Sequence, residues 1–510
     1  MTIDNGAIDE HRSRARPAVL VGLVAFVIAV VAQVWAHRTN VVFAFWDAQA
    51  HLDIARRVSD SLTPGLQMLG TVWLPVPHLL LLLPVQVDRW WWTGIAGGII
   101  GIMAFVGAAV ALHDILLRRA GDRRWAAIGT AFLVCNLSLL YLQTTAMTEP
   151  VLLAFLTGAT ALLDRWLDRR TDRILVAAGV LTALAVGSRY DGWFFALVAT
   201  AVVAWHARQA AGGWLRATAL FAFPSAIVIG LWLGYNLAYF GDALEFQRGT
   251  WSAQSQQAAL SALGLLPTLG RPDLAVEYYL GAAAMTCGVL VLLVAIAMTW
   301  PAARSRGATA LLLLGSGLAF NLIALVAGQS VIALPWTTPP GYQNVRYGVM
   351  LLPAVAAAIT LGMQRIDVSR RTATAIALAV LLAQLALSAT APRLQLGALR
   401  EGLAIRDGDP RQQSTSDWFR DHYDGGRVLV DAAVNLSPRT RIPLRDRVYE
   451  WTWQVGAVAL AAPETEVDWV VADARTPDDA VSRAITNRPD FTRSFDVAFS
   501  VDGIVVWRRR

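Results

Sequence analysis

The stretch AFWDAQAHLDIARRVSD, Ala44–Asp60, follows directly on a long apolar run and decides how the chain is read. An aromatic pair leads into Asp47, and His51 lies four residues further on. That is one helical turn, so the carboxylate and the imidazole share a helix face. Charge is costly inside hydrocarbon, and an ionisable group at membrane depth is a functional candidate by default. Asp47 therefore marks where a first membrane crossing ends and a functional surface begins.

Composition agrees. Of 510 residues, 56% are hydrophobic and 16% are charged, against about 25% charged in ordinary soluble domains. The mean hydropathy is +0.48. Several apolar runs reach the length of about 18 residues that spans a bilayer as a helix. The chain is read as an α-helical polytopic membrane protein. The two cysteines, Cys135 and Cys287, both sit in apolar runs, which supports neither a disulfide framework nor a thiolate metal site. Every basic residue is arginine. The net charge of +6 comes from arginines in short loops between apolar runs. This is an orientation signal and not a nucleic-acid footprint. No cleavable signal peptide is read in the polar, basic N-terminus.

Crossings are placed at about 18–36, 93–117, 125–144, 149–166, 173–188, 192–206, 216–239, 277–300, 308–328, 346–363 and 373–391. With the N-terminus cytoplasmic, the inner loops RRAGDRR (118–124), DRWLDRRTDR (164–173), HARQAAGGWLR (206–216), PAARSRG (301–307) and QRIDVSRR (364–371) are all basic, as the positive-inside rule requires. The segment 71–87, TVWLPVPHLLLLLPVQV, is short, carries Pro75, Pro77 and Pro84, and would invert every later loop if it crossed. It is read as re-entrant on the outer face, within an outer loop 37–92 bearing juxtamembrane helices. About 11 crossings then form a transmembrane domain 1–391 and leave the C-terminus outside. Residues 392–510 read as a small extracytoplasmic α/β domain, with strands in RVLVDAAV, VDWVVADA and GIVVWRR and helices near 411–423 and 477–486. The protein is expected in the inner (plasma) membrane. No internal repeat is visible, so a transporter of inverted halves gains no support.

The ionisable residues at membrane depth share the outer side. Besides Asp47 and His51 these are His78 in the re-entrant segment, Glu149 in TTAMTEP, Arg189 and Asp191 in SRYDG, and Arg346 in GYQNVRYG, with Tyr347 beside it. Each also has a plain structural reading. Asp47 and Glu149 are acids at helix starts, Arg189 and Asp191 could pair within their turn, Arg346 could snorkel to headgroups, and His51 and His78 could be interfacial. Asp53 reads as a solvated position. Acids, an imidazole and arginines converging from separate stretches suit an anionic substrate and acid–base chemistry.

Five stretches then resemble a known family. WDAQAHLDIAR, GTVWLPVPHLLLLLPV, TTAMTEPVLLAF, YNLAYFGDALEF (235–246) and NVRYGVMLLPA are similar to elements of the GT-C glycosyltransferases. More narrowly, they resemble family 39, the protein O-mannosyltransferase and aminoarabinose transferase-like group. The resemblance spans roughly 18–391. The chain departs from the family pattern in three places: Ala48 stands where a second acid usually follows the first, Glu149 replaces the more frequent Asp, and Ala243 replaces a proline. The resemblance implies an inverting transferase that moves a sugar from a polyprenyl-phosphate donor to a glycan, lipid or protein acceptor outside the cytoplasm, among membrane lipids. It implies Asp47 as general base, Glu149 as a second catalytic residue that orients the acceptor or sugar, and Arg346 with Arg189 as stabilisers of the departing phosphate. Asp191, His51, His78 and Tyr347 would bind substrate. No DxD occurs in the first loop, so no obligatory metal is expected. A divalent cation held by Glu149 with Asp47 is the one cofactor left open. The alternatives are a lipid-linked sugar transporter or flippase, and a GT-C ligase or polymerase using diphosphate-linked glycans. The segment 250–264 is read as a lid or acceptor loop or a plain connector.

Overall fold

The structure is a computed structural model describing residues 5–208, 213–250, 252–431, 434–449, 452 and 454–510, with side chains from residue 17 onward. Parts of the inner loop 206–216, of the strand RVLVDAAV and of the segment 250–264 lie outside the described residues. The chain divides into two compact units. The first holds Met1–Thr39, Thr71–Pro77 and Ile100–Glu401, and the second holds Asn40–Gly70, His78–Ile99 and Gly402–Arg510. Most of segment 37–92 thus belongs to the second unit together with the C-terminal residues.

The first unit is helical. Among the described residues seven helices are long and apolar enough to cross a membrane: Pro17–Arg38, Ile95–Ala120, Glu149–Arg169, Trp214–Phe240, Ala308–Val326, Val345–Met363 and Arg370–Thr390. The shorter Asp172–Val186 and Asp191–Ala207 coincide with two further apolar runs. This is a multi-pass membrane protein. The expected straight crossing at 277–300 is corrected: Pro272–Cys287 and Val289–Ala303 are separate helices bent by 116°. Gly288 makes the bend, with φ of +99°, a conformation open to glycine and costly for residues bearing a Cβ. Such a break frees backbone groups that hydrocarbon cannot solvate. Here side chains take them up. Asn136 Nδ2 donates to the carbonyls of Thr286 (2.8 Å) and Cys287 (3.4 Å), and its Oδ1 accepts from Leu139 N. Gln384 Oε1 accepts from Leu290 N at 3.0 Å and Gln395 Oε1 from Val289 N at 3.2 Å. Asn136 itself lies in a second break, between Arg123–Val134 and Leu137–Leu142, inside the run read as one crossing at 125–144.

The second unit is built on a five-stranded sheet: β1 (Val428–Val430), β2 (Arg447–Val448), β3 (Trp469–Asp473), β4 (Phe495–Val501) and β5 (Ile504–Arg509), in the order β2-β1-β3-β5-β4. The β1 strand runs parallel to β2 and β3, while β5 is antiparallel to β3 and β4. Side chains alternate with the pleat. Val428, Val430, Trp469 and Val471 bury on one face with Phe419, and Leu429, Val470 and Ala472 on the other with Phe491. The segment 78–99 forms short pieces only, including Asp88–Thr93. The helix Trp46–Arg57 is tied to the C-terminal part of its unit. Asp53, read from sequence as solvated, accepts from Trp91 Nε1 at 2.8 Å and pairs with Arg447 Nη1 at 3.3 Å. Arg445 Nη1 reaches Asp60 at 2.9 Å, and Leu62 packs against the sheet.

Candidate active site

Glu149 opens the helix Glu149–Arg169, with Pro150 at its start. A carboxylate is favoured in the first turn of a helix, where the backbone dipole is positive. Glu149 is fully buried. Its Oε1 accepts from Arg189 Nη1 at 3.1 Å and from Arg346 Nε at 3.3 Å. Arg189 comes from the tight SRYDG turn before helix Asp191–Ala207. It also donates to Asp191 Oδ2 at 3.2 Å and to Thr148 Oγ1 at 3.1 Å. Burial weighs against its charge, but Glu149 and Asp191 prevail and hold the guanidinium well above the ordinary arginine range. Asp191 is buried as well. The local pairing of Arg189 with Asp191 is therefore present, embedded in a wider network.

Arg346 lies in a 3-10 turn, Val345–Leu351, at the entry to helix Leu352–Met363. Gly348 lets this turn press against helix Pro272–Cys287: a Cβ there would come within 2.4 Å of the backbone of Ala282. Arg346 is 6% exposed, so it does not snorkel to headgroups. Its guanidinium pairs with Glu401, whose carboxylate also accepts from Arg346 N (2.8 Å) and Asn344 N (2.9 Å). Burial, the largest influence, raises Glu401 above the ordinary carboxyl range even though Arg346 opposes it. The ring of Tyr347 lies 5.0 Å from the Arg189 guanidinium carbon and 5.2 Å from that of Arg346, close enough for cation–π attraction to both. Two further sequence motifs close on the same turn. Tyr190 stacks on Phe246 of YNLAYFGDALEF at 5.5 Å, and its hydroxyl donates to Val72 O at 3.3 Å.

Five of the expected residues, Glu149, Arg189, Asp191, Arg346 and Tyr347, therefore form one cluster in the first unit, joined by Glu401, which the sequence reading passed over. Asp47, His51 and His78 belong to the second unit. Asp47 is half-buried in the first turn of helix Trp46–Arg57. His51 Nδ1 and His78 Nε2 are 2.8 Å apart, and both rings are buried. Among the described residues no group of three or more His, Cys, Asp or Glu side chains is placed to hold a metal ion.

The fold and this cluster define a class: a multi-pass membrane protein with a buried, acid-held pair of arginines and a small C-terminal sheet domain. The fold is that of the GT-C glycosyltransferases. ArnT from Cupriavidus metallidurans bound to undecaprenyl phosphate superposes with a TM-score of 0.60 at 12% identity, over 96% of this chain and 97% of that one. The same protein in the apo state gives 0.57 at 15% identity, over 97% and 98%. The apo oligosaccharyltransferase of Archaeoglobus fulgidus gives 0.51 at 14% identity, over 90% of this chain and 69% of that one. No protein-family model and no curated protein matches the sequence.

Proposed function

We propose that the chain is an inverting glycosyltransferase that moves a sugar from a polyprenyl-phosphate donor to an extracytoplasmic glycan, lipid or protein acceptor. The observation that carries this reading is the buried cluster in which Glu149 aims two guanidinium groups, Arg189 and Arg346, from separate helix starts. A guanidinium presents five N–H donors in a fixed fork, and Glu149 sets the direction of both forks. The fork geometry suits phosphate oxygens. The fold neighbour from C. metallidurans binds undecaprenyl phosphate, which supports the donor class.

In this reaction the acceptor hydroxyl oxygen attacks the anomeric carbon and the bond from that carbon to the phosphate oxygen breaks. The bonding electrons leave with the phosphate, and polyprenyl phosphate is released carrying one more negative charge. Arg346 and Arg189 stabilise that developing charge, the type of preorganised electrostatic contribution that is often the largest in catalysis. Asp47 takes the acceptor proton as general base. Glu149 positions the arginines, and Asp191 and Tyr347 hold Arg189. No step is routed through a metal.

The test is purified protein with radiolabelled polyprenyl-phosphate sugar. Release of polyprenyl phosphate with inverted transfer of label supports the reading. Movement of intact donor between vesicles without release would replace it with transport. Turnover only with diphosphate-linked donors would replace it with a ligase or polymerase.

A further inference from the structure

The second unit contains a small cleft of about 40 Å³, bordered by the start of helix Trp46–Arg57 and by helix Pro410–His422. A water needs about 10–15 Å³ of such space, so the cleft has the room of roughly three waters. That admits one small polar group of a ligand and not a whole sugar ring. The amides of Gln49, Gln412 and Asn435 line it but are spent on protein partners. What remains is a set of donors around Arg439.

Arg406, Asp409, Asp417 and Arg439 are the charged residues of the lining. Three of them are neutralised by neighbours: Arg406 by Asp407 at 2.7 Å, Asp409 by Arg411 at 2.8 Å and Asp417 by Arg420 at 2.7 Å. Arg439 is the exception. Its guanidinium carbon lies 5.6 Å from the centre of the Phe43 ring, and among the described residues no carboxylate reaches it at ion-pair distance. Burial, the largest influence, lowers its proton affinity; Asp417 opposes this from further off, and Arg420 and Arg406 add to it. The cleft thus carries one uncompensated positive charge. Two hydroxyls stand beside it. Arg439 N donates to Ser437 Oγ at 3.3 Å, and Ser437 N donates to Ser416 Oγ at 3.2 Å. Both serines line the cleft and are buried. A hydroxyl carries one hydrogen to donate besides its lone pairs. Each of these hydroxyls accepts a backbone N–H, and neither spends its own hydrogen among the described residues. A buried hydroxyl hydrogen without an acceptor is costly, so both donors favour an incoming acceptor group.

We propose that this cleft is a carboxylate subsite, in which Arg439, Ser416 and Ser437 hold one ionised carboxyl group of a ligand. A carboxylate has two oxygens with about four lone-pair sites. The guanidinium fork supplies two parallel N–H donors, and the hydroxyls supply two more. Its single charge also equals that of the one uncompensated arginine. A phosphate monoester carries about −1.5 to −2 at neutral pH and would leave negative charge over beside Asp409 and Asp417. That the carboxyl group belongs to the acceptor rests on the transferase reading: Trp46, which lines the cleft, immediately precedes the proposed base Asp47. The acceptor is then an acid. The preference of the cleft itself does not depend on that reading.

The experiment titrates three sugars of one skeleton, glucuronate, glucose and glucose 6-phosphate, into the full chain in detergent without donor, with binding read by ligand-observed NMR. Glucuronate is expected to bind at least tenfold more tightly than glucose and no more weakly than glucose 6-phosphate. Arg439→Gln should weaken glucuronate at least tenfold and leave glucose within twofold, with thermal unfolding unaltered. Asp417→Asn removes the carboxylate that draws on Arg439 and should tighten glucuronate at least twofold, a gain that damage to the fold would not produce. A preference over glucose of less than tenfold, tighter binding of glucose 6-phosphate, or a glucuronate affinity unchanged in Arg439→Gln overturns the proposal. Should Arg439→Gln fail to fold, the preference of the unmodified chain and the gain in Asp417→Asn still decide it. Because binding is read without donor, its failure strikes the subsite, whereas failure of donor turnover with glucuronate still bound strikes the transferase reading.

Discussion

Arg346 Nε donates to Glu149 Oε1 across 3.3 Å although 197 residues of chain separate them. Glu149 is fully buried and Arg346 nearly so, and removing one member of a buried ion pair commonly costs about 3–5 kcal/mol because the other is left uncompensated. Glu149→Ala is therefore expected to lower the unfolding temperature more than Glu149→Gln, which keeps a hydrogen-bond acceptor beside both arginines. Equal effects in a thermal unfolding assay would mean that the carboxylate does not organise the cluster.

Arg346→Ala should weaken donor binding roughly tenfold to a hundredfold, the scale of about 1.5–3 kcal/mol for a hydrogen bond to a charged group. Arg346→Lys should recover only part of this, since an ammonium cannot reproduce the guanidinium fork. Direct binding of the polyprenyl-phosphate donor measures both, and unchanged affinity in the alanine variant would remove Arg346 from the donor site.

Asp47 lies in the first turn of helix Trp46–Arg57. Loss of its charge there should cost no more than about 1 kcal/mol of helix-dipole energy. Asp47→Asn should therefore leave unfolding and donor affinity nearly unchanged while slowing transfer by about 10²–10⁴-fold, as expected of a lost general base. Full activity in this variant would favour the diphosphate-donor branch of the fold, and an unfolded variant would make Asp47 a structural cap.

The raised proton affinity of Glu401 has a signed consequence. Below its folded-state pKa the carboxyl is neutral, and the two arginines are balanced by Glu149 and Asp191. Above it, a third negative charge joins the cluster and opposes the phosphate. Donor KM should rise as pH increases through that value, and Glu401→Gln should flatten the profile. A KM that falls with pH, or a slope unchanged in the variant, would contradict this assignment.

Glu149 and Glu401, the two fully buried carboxylates of the cluster, are both turned toward guanidinium groups. A divalent cation at either acid would sit beside a guanidinium and be opposed by its charge. Dialysis against EDTA is expected to change the initial rate by less than twofold. A larger loss that Mg²⁺ or Mn²⁺ restores would show that the acids serve a metal.

The helices were legible because apolar runs bounded by arginine are a strong local signal. The bend at Gly288 was not, because Cys287 and Val289 on either side are as apolar as any crossing and the stabilising partners, Asn136, Gln384 and Gln395, are remote in sequence. Arg346 and Glu149 could be marked as candidates by depth in the chain, but nothing local records that they meet. Glu401 escaped notice because GALREGLAIRDG reads as an ordinary amphipathic linker helix, and its meaning lies in the backbone N–H groups of Asn344 and Arg346. The strand β2 is two residues long, and β4 is mostly exposed, so neither carries the apolar pattern that revealed β1, β3 and β5.

The split composition of the second unit has a consequence for how the chain is made. Residues 40–99 leave the ribosome early, yet Asp53, Asp60 and Gln49 find their partners Arg447, Arg445 and Asn435 only near the end of synthesis. At about 5–20 residues per second, the intervening 302 residues impose a delay on the order of 15–60 s. During that interval the segment bearing Asp47 lacks the sheet it is tied to, so a nascent chain that stops short of the last hundred residues leaves the second unit unfinished.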